Sequence, residues 1–143
     1  MDVSPTIQHP HGRIVSITGT DPAAGAEISE TVPARRRWRI LAVRFSLVTD
    51  DTAVTRQIGI IIDDGTNTLL KILILSLQGL STTRNYTLAN FPIAETRVND
   101  DLFHSFPPLC LSTGCRLRTV TTALQAGDNY SAPQLLIEEW IDP

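Results

Sequence analysis

Residues 38–49, WRILAVRFSLVT, constrain the chain most. Leu41, Val43, Phe45 and Leu47 fall on one side at a period of two, and Ile40, Ala42, Arg44 and Ser46 on the other. A helix would scatter the first set around its circumference, whereas a strand lines it up as a core face. Arg44 makes the opposite face partly wet or turned toward a partner. A chain built round such a segment folds round a sheet.

The remaining segments repeat the theme, with turn signals every 8–14 residues. Residues 13–18 (RIVSIT) alternate, 19–25 (GTDPAAG) form a loop, and 27–32 (EISETV) form a short strand before Pro33. Residues 53–62 place Ile58, Ile60 and Ile62 on one face, and DDGTN at 63–67 is a hairpin connection, because Gly and Asn tolerate positive φ. The return over 68–75 reads as a strand. Residues 69–77 also suit a short helix, and the preceding turn decides for the strand. Residues 84–91 (RNYTLANF) are another strand, and 92–105 show no readable pattern. After Pro107-Pro108, residues 115–124 set Cys115, Leu117 and Thr119 against Arg116, Arg118 and Val120. Residues 133–141 (PQLLIEEWI) set Leu135 and Ile137 against Leu136, Glu138 and Trp140. The expectation is an all-β, antiparallel two-sheet β-sandwich, jelly-roll-like, of about eight strands over residues 13–143. An extended N-terminal arm, residues 1–12, precedes it, broken by Pro5, Pro10 and Gly12.

The chain has 143 residues, 42% hydrophobic and 19% charged, which suffices to bury a core without staples. A net charge of −3 gives no global field for nucleic acid. The start MDVSPTIQHPHGR lacks a basic-then-apolar export pattern, and the apolar runs 59–62 and 69–77 fall short of the ~20 residues that cross a bilayer. The expectation is a protein made in the cytosol, with no membrane and no direct nucleic-acid partner.

Few residues invite chemistry. Cys110 and Cys115 flank Ser112-Thr113-Gly114, but C-x₄-C with no second pair lacks a zinc site's ligand set. They read as small apolar strand residues beside a turn, or as a local disulfide in an oxidising medium. His9 and His11 offer two imidazoles without a carboxylate partner. His104, with Asp100, Asp101 and Ser105, completes no nucleophile motif. The Asp50-Asp51 and Asp63-Asp64-Gly65 turns miss the calcium-loop spacing and suit carboxylates that accept backbone N–H groups. Asn85-Tyr86-Thr87 and Asn129-Tyr130-Ser131 match a glycosylation acceptor, which means little without export. The one dense charge block is Arg35-Arg36-Arg37-Trp38-Arg39, a solvated strand start or a dock for an acidic protein surface. No cofactor, no metal and no catalytic set is expected.

The succession of motifs is more telling than any one of them. ARRRWRILAVRF is followed by IDDG and YTL, then by FPPL-x-L-x-x-G-x-RLRT, LQAGDNYSAP and a terminal EEW. From about residue 13 onward this resembles small β-sandwich virion proteins of tailed bacteriophages and prophages, capsid decoration (cement) proteins among them. The resemblance implies a non-enzymatic structural protein on the virion surface, commonly a homotrimer. Its implied partner is the major capsid protein, gripped by one face or by the arm. Ile7, His9, His11, Arg35, Arg36, Arg37 and Trp38 are the expected capsid or oligomer contacts. A tail or head–tail role, a receptor-binding role and a free carbohydrate-binding module are the rival expectations.

Overall fold

The computed structural model describes residues 12–142, and they form an all-β sandwich of two mostly antiparallel sheets. Ile7, His9, His11 and all of the expected arm except Gly12 lie outside the described residues.

The larger sheet runs in the order β1 (Arg13–Thr18), β12 (Gln134–Ile141), β3 (Arg36–Val48), β6 (Thr83–Ala89), β8 (Asp101–Ser105) and β7 (Thr96–Val98). Two short strands, β9 (Cys110–Leu111) and β11 (Asn129–Tyr130), also pair with β3. The smaller sheet runs β2 (Ser29–Thr31), β10 (Arg116–Thr122), β4 (Gln57–Asp63) and β5 (Thr68–Leu73). This division of eight and four does not establish a jelly roll. The expected eight strands become twelve because β7, β8, β9 and β11 are only two to five residues long. The pairing of β6 with β8 is parallel, a departure from the all-antiparallel expectation. The chain reaches β8 through β7, which pairs antiparallel with it, so β8 returns in the direction of β6.

The long strand β3 organises the molecule, in the expected phase from Val43 to Leu47 but not before it. Its buried residues are Trp38 and Ile40, then Val43, Phe45 and Leu47. Leu136 faces Ala42 and Ile137 faces Ile40, so Leu41 is one residue extra. This β-bulge resets the alternation, which moves Ile40 into the core and leaves Leu41 half-buried. Below the bulge the strand pairs with β9, and above it with β6, so one strand ties together both ends of the sheet.

The core lies between the sheets. Phe45 stacks on Tyr86 at 5.3 Å between centroids and meets Tyr130 edge-on at 5.7 Å. Ile58, Ile60, Ile62 and Leu117 close the layer from the smaller sheet. Each such fully buried side chain contributes about 1.5–3 kcal/mol, so the fold needs no disulfide; both cysteines are free. Both buried phenols keep polar partners. Tyr86 donates to Gln78 Oε1 at 2.7 Å, and burial raises its pKa to about 12. Residues 68–73 are a strand, as the preceding turn required, and Leu70 and Ile72 pack on the core.

Candidate interaction surface

The arginine block occupies the first half of β3, beside the acidic end of β12. Arg36 faces Ile141, Arg37 faces Trp140, Trp38 faces Glu139 and Arg39 faces Glu138. Because strand side chains alternate, this register sorts them into two clusters.

The inner cluster centres on the buried carboxylate of Glu139. It accepts from Trp38 Nε1 at 2.9 Å, Arg36 Nη1 at 2.6 Å and Arg13 Nη2 at 3.3 Å. Burial works against its charge, but the indole donor and the two guanidiniums outweigh that and hold its pKa below the ordinary range. Trp38 is therefore a core residue, 5% exposed, with its polar edge satisfied from within.

The outer cluster is a charged plate. Arg37 Nε donates to Asp142 Oδ1 at 3.0 Å, and Arg39 pairs with Glu138. The guanidiniums of Arg37 and Arg39 lie 5.9 Å and 5.8 Å from the Trp140 ring, within cation–π range. Arg39 Nε is buried and has no hydrogen-bond partner among the described residues. The chain enters the sandwich here, since Gly12 N donates to Glu138 Oε1 at 2.7 Å. Arg35 sits in the preceding turn, exposed and in the left-handed region at φ 61°, and its carbonyl accepts Asp142 N at 2.8 Å. Of the expected contacts, then, Arg35 is exposed, Arg36 and Arg37 are half-buried and paired within the chain, and Trp38 is buried.

The other candidates resolve into structure. Cys110 is exposed on β9, while Cys115 is buried with its Sγ 3.6 Å from Ser112 Oγ. Asp63 is buried beneath Arg116 and Arg118, which reach it at 2.7 Å and 2.5 Å. Arg116 acts first, against burial, and with Gly65 N and Arg118 it holds the Asp63 pKa down to about 2. Gly65 adopts φ 95°, the left-handed conformation that this turn requires. Asp64 accepts the amides of Thr66 and Asn67 at 2.9 Å and 2.6 Å. His104 Nε2 lies 3.9 Å from Glu95, and Asp101 pairs instead with Arg44 at 3.4 Å. Glu95 in turn accepts the amides of Leu75 and Ser76 at 2.8 Å and 2.9 Å.

Two features escape the sequence reading. One is the plate round Trp140, whose signal is the matched spacing Arg37-x-Arg39 and Glu138-x-Trp140. The other is Arg56, wholly buried, which grips Asp128 through two bonds of 2.9 Å and takes Asp50 at 2.6 Å. No family model matches this chain, and no curated protein matches it either.

Proposed function

We propose that the chain is a non-enzymatic structural protein of a phage virion, a capsid decoration protein that binds the outer head surface as an oligomer and stabilises the shell. The resemblance of the motif order supplies the class. The observation that carries the reading is the junction at Gly12. Its bond to Glu138 brings Gly12, where the described chain starts, to the arginine–Trp140 plate. The last residue of the expected arm thus adjoins the arginine block, and the proposal is that arm and block form one footprint.

The aromatic residues support a binding role through this plate rather than a sugar platform. Trp38, Phe45, Tyr86, Phe106 and Tyr130 are all buried. Attachment would be multivalent, with modest contacts repeated by oligomer symmetry and reinforced through effective concentration.

The test is addition of purified protein to heads that lack it, followed by sedimentation and electron microscopy. Coating is expected at a copy number near that of the major capsid protein. A chain lacking residues 1–11 is expected to fold but to leave heads bare. A few copies per particle would overturn the decoration reading in favour of a tail or head–tail role. Undiminished coating by the shortened chain would remove the N-terminal segment from the footprint.

A further inference from the structure

The two open sides of the sandwich differ. On one side β1 and β2 end their sheets, and on the other β7 and β5 do. Among the described residues, thirteen large apolar side chains are exposed, and eight of them lie between residues 69 and 98. Leu73, Leu75 and Leu77 are 41%, 68% and 48% exposed along β5 and its continuation, and Val98 on β7 is 56% exposed. Glu95 binds the amides of Leu75 and Ser76, so the segment entering β7 lies against this run.

The backbone of β5 is open as well. Ile74 N donates to Ile58 O at 2.9 Å, and Ile72 faces Ile60, so even-numbered residues bond to β4. Lys71 and Leu73 therefore turn their N–H and C=O groups to the free edge. The edge stops at Leu75, whose amide Glu95 takes. Natural sheets protect such edges with charge, proline or cover, and this one has Lys71 alone.

We infer that this edge pairs with a second copy of the chain, β5 against β5 about a two-fold axis. The structure favours a copy of itself on three grounds. An open ladder is a template that another strand edge can extend. In the two-fold register that sets Lys71 across from the second copy's Leu73, each pair exchanges both backbone bonds, and no lysine faces a lysine. Leu75 then lies across from Leu69, which lines an apolar cavity of about 450 Å³ with Ile62, Leu70 and Leu109. Leu69, Leu73 and Leu75 are exposed along this strand and its continuation, and the pairing covers them. The pairing rests on the sheet edge alone, and it stands or falls apart from the capsid reading.

The mass of the full chain in solution, by light scattering during size exclusion, tests it. An even number of copies is expected. Leu73→Glu and Leu75→Glu are each expected to halve that mass while leaving circular dichroism and cooperative melting intact, because both side chains are exposed. Ile14→Glu, exposed on the opposite side, is expected to leave the mass unchanged. A wild-type mass of one or three copies, or glutamate variants of unchanged mass, overturns the pairing.

Discussion

Two arginine clusters in this molecule use the same chemistry in opposite ways. Arg56 and Asp128 are both fully buried, and Arg56 uses all five of its N–H donors: three bonds go to Asp128 and Asp50, and two go to the carbonyls of Thr52 and Val54. Asp128 also accepts the amides of Asp50 and Gln125, at 2.9 Å and 2.8 Å. Burial opposes its charge, yet these bonds hold its pKa below the usual range. The plate at Arg37 and Arg39 is instead about a third exposed, and it leaves Arg39 Nε without a partner. A dry cluster fixes loops, whereas one whose guanidiniums are about a third exposed stays within reach of a partner.

Removing Arg56 probes the difference most severely. Arg56→Met strands the Asp128 carboxylate in the interior, and the expected loss is about 3–5 kcal/mol in urea unfolding. A loss under about 1 kcal/mol would place Arg56 with ordinary surface pairs.

Acid probes an intermediate case. Asp63 titrates near 3.8 when free and near 2 in the fold. A folded pKa below the unfolded one gives stability that is present above about pH 4 and lost as pH falls toward about 2. The lowered Asp128 and Glu139 act in the same direction. Thermal melts across this window should show the midpoint falling with pH. Asp63→Asn should melt lower at neutral pH but lose less on acidification. An acid limb as steep as wild type would mean that Asp63 is not among the titrating groups.

The same contrast explains what the sequence made legible. Alternation revealed the faces of β10, and of β12 over Gln134–Ile137, because burial alternates without a break there. It misplaced Leu41 and Ile40, because the bulge is set by the register with β12 and leaves no local mark. Strand β8 was hidden because DLFHS gains its meaning from parallel pairing with β6, beyond the reach of any turn signal. The arginine block was visible as charge, but its partners Glu138, Glu139 and Asp142 lie about a hundred residues away. Arg56 was least legible of all: one arginine in AVTRQ says nothing about a carboxylate 72 positions on.

The gentlest substitution separates fold from function best. Arg37 and Asp142 are 32% and 37% exposed, so solvent screens their attraction. The stacking of Arg37 on Trp140 adds about 0.5–1 kcal/mol at such a site. Arg37→Ala should therefore cost at most about 1 kcal/mol in urea unfolding, and less in high salt. Binding to heads should fall by several-fold, since the guanidinium stands at the edge of the proposed footprint. The outcome to look for is a dissociation of the two readouts, with stability nearly kept and coating reduced. If stability and coating fell together, the plate would be a fastener of the same kind as Arg56, and the footprint would have to lie elsewhere on the sandwich.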